Sequence, residues 1–380
     1  MTFLATEDIT TLSAETVPDH ITSVLEINTK EIIKNYYFLN EMLSTGKCGA
    51  VVKADAYGLG AEKVGAALER VGCQEFFVAH VEEGIALRKA LPQGNIYVFT
   101  GLLPGTADCF IEHNLIPVLN NIEQIKTWYE LCRKEENAKD AAIHFDTGML
   151  RNGLDKKDQK LLLNNLQWLA AMNIHFYMTH LACSTVKDHP LNDVQLGRLK
   201  GIVSQLPTAP ISLADSGGIF IGPEYHFDLV RPGFALFGMN PTHHGMDKNP
   251  MTPCVRFRGR IIQVKEGEVG DSVGYGATHV LDRPSRLAVV GAGYSNGYLR
   301  SLSNQGVCFL ENWKVPVLGR VSMDYIVVDV TDVPESVVAE GRWIDLVNAG
   351  MSLDHLGALA QTISREMLTG IGKGTHRVYV

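Results

Sequence analysis

Apolar residues along the first two thirds of the chain alternate between two patterns. Short unbroken runs come first: CGAVVKA, EFFVAH, NIYVFTG, LIPVLN, AAIHFDTG, IHFYMTH, PISLADSG and FDLVRPG, eight between residues 47 and 233. Between them lie stretches with apolar residues every three or four positions, such as AEKVGAALERV, VEEGIALRKAL, NIEQIKTWYELCRK, DQKLLLNNLQWLAAM and LNDVQLGRLKGIVSQL. The first pattern predicts strands buried on both faces, and the second amphipathic helices. A further helical face, Ile32, Ile33, Tyr36, Tyr37, Leu39, Met42 and Leu43, precedes them, with Thr29 as a candidate cap. Strand–helix alternation with short connections implies parallel strands and right-handed crossovers. Eight units is the count of a (β/α)8 barrel. An open doubly wound sheet would carry a glycine-rich phosphate loop after its first strand, and no GxGxxG or GxxxxGK[ST] stands there.

The period changes after PTHHGMDKNPMTP (241–253), which reads as a linker. VRFRGRIIQV, SVGYGATHV, SRLAVVGAG, GVCFLENWKVPVLG and DYIVVDV alternate and are rich in β-branched residues, so a mainly β domain follows. One late helix is expected over 352–367, capped by Ser352. The expected division is a polar extension over 1–24, the barrel over 25–245 and the β domain over 246–380.

A chain of 380 residues, 46% hydrophobic, is too long for one ordinary core and agrees with two domains. The net charge of −8 gives no electrostatic reason to seek nucleic acid or an anionic membrane. No apolar run is long enough to span a bilayer, and the first residues lack the basic start and apolar centre of a signal peptide. The seven cysteines are scattered and form no CxxC pair, which fits a reducing, cytoplasmic setting and gives no metal site. His243 and His244 lie in the linker with no carboxylate at useful spacing.

Catalytic groups of a barrel sit at the C-terminal ends of its strands. Here those ends carry Lys53 and Tyr57; Asp146, Thr147 and Arg151; Thr179 and His180; Asp215, Ser216, Gly217 and Gly218; and Arg231 with Gly233. Each has a plainer reading. Lys53 suits a snorkelling rim residue, and Asp146 with Thr147 a cap and turn. The Ser-Gly-Gly run suits a tight turn, and Arg231 a partner for Asp228. Glu82 and Glu83 suit the dipole of the helix they start. Taken together the set suggests one chemistry. A lysine amine forms a Schiff base with an aldehyde cofactor, and a Ser/Gly turn beside a tyrosine holds a phosphate. Pyridoxal phosphate has both groups and a ring nitrogen that needs a partner.

KADAYGLG (53–60) closely resembles the cofactor-lysine motif of alanine racemases. HFDTGMLRNG (144–153), MTHLACS (178–184), LADSGG (213–218), LVRPGFALFG (229–238), VGYGATHV (273–280), GAGYSNGYLR (291–300) and GRVSMDY (319–325) resemble that family's other motifs in its order. The resemblance runs from about residue 25 to the C-terminus. It implies a barrel binding pyridoxal phosphate, a β domain, and interconversion of L- and D-alanine for peptidoglycan supply or alanine catabolism. It further implies that Lys53 is the Schiff-base lysine and Tyr275 the second catalytic base. Tyr57, Ser216, Gly233 and, through its backbone, Phe234 are similar to the phosphate set. Arg231 is similar to the ring-nitrogen partner and His180 to a residue lining the ring. Arg151 and Met323 are similar to the substrate-carboxylate contacts, and Tyr294 and Asp324 to positions at the entrance. No metal is implied. A homodimer is implied, with Tyr275 reaching the site of the partner subunit.

The chain departs from the family at three places. His144 stands where a lysine, commonly carbamylated, is frequent; Asp215 stands where many members have Asn; and TGIGKGTHRVYV lacks a phosphate-contacting tyrosine. A racemase of the same fold acting on serine or basic amino acids is the main alternative. A barrel decarboxylase would lack Tyr275, and a binding module would have no need of both Lys53 and Tyr275.

Overall fold

Apolar runs with no polar alternation fold as interior strands only if both faces are covered. The computed structural model, which describes residues 17–242 and 249–380, meets that condition with two units. One is Thr29–Cys254; the other joins Asn28 and the described residues before it to Val255–Val380. His243 and His244 lie outside the described residues.

In the first unit seven parallel strands follow in chain order: Ala50–Val51, Glu75–Val78, Asn95–Val98, Ile116–Leu119, Asp140–His144, Asn173–Met178 and Ile211–Ser212. The eighth, Leu229–Val230, closes the ring. It pairs in parallel with Lys47–Cys48, the start of the first strand. Val51 N–H then donates to Pro232 O (2.9 Å), a carbonyl that proline keeps although it lacks an N–H. On its other side Asp228 N–H donates to Ile211 O (3.0 Å) and Arg231 N–H to Ala214 O (2.8 Å). All eight runs read from the sequence are barrel strands.

The barrel is filled. Val51, Phe77, Tyr97, Val118, Ala142, Phe176 and Met178 belong to one buried cluster. The Phe77 and Phe176 rings lie 4.8 Å from that of Tyr97. Each buried aromatic of this kind contributes about 2 kcal/mol of hydrophobic stabilisation. The helices Ala61–Arg70, Val81–Ala90, Ile122–Lys134 and Pro190–Val203 coat the outside. The stretch read as one helix at 158–172 breaks into Lys156–Leu163 and Gln167–Ala170.

A polar network closes the N-terminal end of the strands. Lys47 Nζ lies 3.2 Å from Glu75 Oε1, and Tyr97 Oη donates to Glu75 Oε2 (2.7 Å). His175 Nδ1 sits 2.9 Å from the same hydroxyl, and its Nε2 is 3.2 Å from Asp140 Oδ1. Lys47, Glu75, Tyr97 and His175 line a cavity of about 650 Å³ that Asp228 also borders.

In the second unit the 13-residue strand Val255–Gly267 organises an antiparallel barrel. A register shift between Ile261 and Gln263 lets its two halves pair with Trp343–Val347 and with Ser285–Val290. Ser23–Ile27 pairs with its first half, Val24 opposite Arg258. That strand corrects two expectations. Residues 23–24 are not extension, and 25–28 group with the β unit rather than the (β/α)8 barrel. Within this strand Glu26 forms a buried ion pair with Arg258. The single late helix is two, Leu353–Leu359 and Ser364–Gly374. Ser352 does cap the first, accepting from His355 N–H (3.1 Å). Gln361, at φ 58°, turns the chain between them.

Candidate active site

Strand ends project polar groups because the chain must leave the sheet there and its backbone needs new partners. After Val52 the chain does so unusually. Ala54, Asp55, Ala56 and Tyr57 all have φ between 53° and 58°, a left-handed turn built without glycine. Such a conformation costs about 1 kcal/mol or more per residue. Glu83 offsets part of this cost, its Oε1 accepting from Ala54 N–H (2.6 Å) and its Oε2 from Ala79 N–H (2.7 Å). Asp55 Oδ1 accepts from Ala61 N–H (2.8 Å) and ties the turn to the next helix. Glu83 therefore does more than meet a helix dipole. Lys53, at the head of the turn, places Nζ 5.9 Å from the centre of the Phe99 ring.

Tyr57 leaves the same turn and packs against Phe237, ring centres 5.2 Å apart. Its hydroxyl approaches Gly233 so closely that a Cβ there would stand 2.5 Å from it. Ser216, 1% exposed, completes the cradle: its Oγ accepts from Gly233 N–H (2.9 Å) and Ala235 N–H (3.2 Å). Phe234 lies between those two donors. The structure thus brings Tyr57, Ser216, Gly233 and Phe234 together from three strand ends.

Arg231 is 2% exposed. Its guanidinium donates to the Ser212 hydroxyl, to Thr179 O (2.7 Å) and to Leu213 O (3.2 Å). Asp228 instead accepts from Ile211 N–H (2.7 Å), so the Arg231–Asp228 pairing is not formed. Burial pulls the Arg231 pKa down to about 10, against the opposing pull of Asp215. His180 is held well below its usual range by burial and by the charges of Arg231, Arg151 and Lys53, with Asp215 acting the other way. Its backbone is fixed by Gln195, whose Nε2 donates to His180 O (2.9 Å) and to Thr147 Oγ1 (3.1 Å).

His144 is buried and its tautomer can be assigned. Asn120 Nδ2 donates to Phe99 O and Val118 O, both at 2.8 Å, so its Oδ1 faces His144 Nδ1 at 2.8 Å and must accept. Nδ1 therefore carries the proton and Nε2 is an acceptor. Burial first, then the charges of His180, Arg231 and Arg151, pull the His144 pKa down to about 3. Arg151 follows a tight loop in which Asp146 Oδ1 accepts from Gly148, Met149 and Leu150 N–H. Asn120, Ser212 and Gln195 escaped the sequence reading, and Glu83 was read there only as a dipole partner. Each acts through a partner distant in the chain, and nothing in their local spacing marks them.

In the β unit, Tyr275 stands on the turn Tyr275–Ala277 between two short paired strands and is 72% exposed. Gly274 and Gly276 lie against Arg320. Gly293 lets the next loop press onto Ser322 O and Met323 O, each 2.4 Å from where a Cβ would be. Ser295 Oγ donates to Met323 O (2.8 Å) and Asp324 Oδ1 (3.1 Å). Tyr294, Met323 and Asp324 are thereby gathered on neighbouring loops of this unit.

Comparison with known proteins agrees with this arrangement. Residues 27–241 match the alanine racemase N-terminal domain and 254–379 the alanine racemase C-terminal domain. An alanine racemase of Rhodospirillum rubrum is 42% identical over 363 residues, 95% of this chain and 96% of that protein. One of Brucella abortus is 38% identical over 94% of this chain and 93% of its own length. The crystal structure of a Bartonella henselae alanine racemase with covalently bound pyridoxal phosphate superposes with a TM-score of 0.90 at 37% identity, covering 94% of this chain and 99% of that one. With both domain families matched in order over nearly the whole chain, this protein belongs to the alanine racemase family.

Proposed function

We propose that this chain interconverts L- and D-alanine with pyridoxal phosphate held on Lys53, and that Lys53 and Tyr275 move the α-proton on opposite faces of the substrate. The observation that carries the reading is the meeting of Lys53, the Tyr57–Ser216–Gly233 cradle and the buried Arg231 at one end of the barrel. The residues fit the cofactor. The missing side chain at Gly233 lets the Tyr57 hydroxyl close onto the backbone, where a Cβ would stand 2.5 Å from it, so that hydroxyl, Ser216 and the residue 233–235 backbone gather as a phosphate cradle. A lysine lies within reach of Phe99 at the same mouth.

Bound there, pyridoxal phosphate supplies the electron sink that acidifies the α-carbon of an amino acid. Tyr57, Ser216, Gly233 and Phe234 bind its phosphate. Arg231, unable to give up a proton, would hold the ring nitrogen as a hydrogen-bond acceptor and so keep it unprotonated. Its three hydrogen bonds to neutral oxygens hold the guanidinium plane fixed. His180 lines the ring. Arg151 and Met323 bind the substrate carboxylate. Lys53 holds or takes the α-proton on the D-face, Tyr275 on the L-face. A free tyrosine has a pKa of about 10, so a cationic neighbour such as Arg151 or a hydrogen-bond donor such as His180 assists it.

The protein acts in the cytoplasm as a homodimer in which Tyr275 of one subunit serves Lys53 of the other. Mixing Lys53→Ala and Tyr275→Phe chains tests both claims. Statistical hybrids should regain about a quarter of the wild-type rate, since one site in two is then complete in half of the dimers. No recovery would count against shared sites. An alanine sample that loses its α-proton to solvent deuterium from neither enantiomer would count against the reaction itself.

A further inference from the structure

The Lys53 end of the barrel holds a buried cation, Arg231, among other charged groups. Lys53, Arg151 and Arg231 stand there, with His144 and His180. Arg231 is fully buried, yet its hydrogen-bond partners are a hydroxyl and two carbonyls. No carboxylate forms an ion pair with it among the described residues. A buried cation without an anion is costly.

One carboxylate is built in beside it. Asp215 and Arg231 are bridge partners on adjacent parallel strand ends, and partners in a parallel bridge share a face. The Asp215 carboxylate is clamped on both oxygens. Oδ1 accepts from Gly218 N–H (3.0 Å) and Oδ2 from Ser184 Oγ–H (3.0 Å). Neither clamp needs a charge: an amide in the same place accepts from Gly218 and, with Ser184 turned, donates to its hydroxyl. What an amide cannot supply is the negative field, which favours the charged forms of both His180 and Arg231.

We propose that Asp215 is the counter-ion of the Arg231–His180 pair, a positioning residue that acts through them on the cofactor ring and on Lys53. The proposal rests on the cofactor reading above. Asp215 offsets part of the cost of burying the charged Arg231 guanidinium, the donor toward the ring nitrogen. It also balances part of the positive field that Arg151, Arg231 and Lys53 exert on one another, with neutral His144 and His180 adding none. An anion so placed raises the proton affinity of the Lys53 nitrogen when that nitrogen is joined to the cofactor.

Asp215→Asn in the cofactor-loaded protein removes the charge and keeps the shape. The yellow band of the Lys53-linked cofactor, followed as pH is raised, should lose its protonated form at a midpoint about one unit lower than in wild type. Asp215→Ser, also neutral, should move it the same way, so the test does not depend on one variant folding. Ser184→Ala, which loosens the clamp and keeps the charge, should leave the midpoint in place. An unmoved midpoint in both Asp215 variants with an intact band overturns the counter-ion role alone, as does a shift in Ser184→Ala equal to theirs. Absence of any cofactor band, in wild type as well, overturns both this proposal and the cofactor reading.

Discussion

The two ends of the (β/α)8 barrel are both polar, and they are polar in opposite ways. At the N-terminal end Lys47 and His175 face Glu75 and Asp140, and Tyr97 joins the two pairs by hydrogen bonds of 2.7 and 2.9 Å. Donors meet acceptors, and the network is complete in itself. At the C-terminal end the carboxylates of Glu83, Asp146 and Asp215 are taken up by backbone N–H groups and the Ser184 hydroxyl, the buried Arg231 forms no carboxylate ion pair among the described residues, and two histidines are held below their usual pKa. A satisfied network stabilises a fold, whereas a buried cation without an ion pair favours an anion beside it. A phosphate and a substrate carboxylate are anions of that kind. The backbone repeats the contrast: the strained left-handed turn lies at the second end, after Lys53.

Mutations should separate the ends. The largest effect is expected at Lys53. Lys53→Ala should lower racemisation by about a thousandfold or more while leaving the melting temperature near wild type. Next, Arg231→Glu should slow racemisation about a hundredfold and raise the yield of side products, because an acid partner lets the ring nitrogen protonate. An unchanged ratio of side products to racemisation would contradict the role given to Arg231. Gly233→Ala should weaken cofactor binding, since its methyl would stand 2.5 Å from the Tyr57 hydroxyl. About tenfold is expected, read from cofactor release on dialysis. Tyr97→Phe, at the other end, should cost about 1–3 kcal/mol of stability with no change in kcat, because it removes one buried partner each from Glu75 and His175.

Legibility from the sequence follows the same division. The barrel strands were readable because their apolar runs depend only on local composition. Lys53, Tyr57, Ser216 and Arg231 were readable because motif and strand end coincide. Ser23–Ile27 was not, because Glu26 becomes buried only when Arg258, 232 positions along the chain, lies beside it. The late helix was drawn as one because apolar spacing continues through 360–363, while the break at Gln361 is a matter of backbone angle. The assignment of a neutral tautomer to His144 needed Asn120 and, behind it, two carbonyls that no spacing rule joins to it.

A further effect is expected with pH. His144 has a folded pKa near 3, below the value of 6.5 it has when unfolded. Between these the unfolded chain binds the extra proton, so stability is full above about pH 6.5 and falls as pH drops toward 3, by up to about 1.4 kcal/mol per unit. His144→Gln should flatten that slope in denaturation curves run between pH 4 and 7. An unchanged slope would mean that His144 is not the neutral, Asn120-bound group described.

The account stands most directly on where the cofactor attaches. The purified protein, reduced with borohydride and digested, can be mapped by mass spectrometry. The expected result is a single reduced pyridoxal-phosphate adduct on the peptide containing Lys53, with Lys47 at the opposite end of the same strand unmodified. No adduct, or an adduct on Lys47 and not on Lys53, would contradict it.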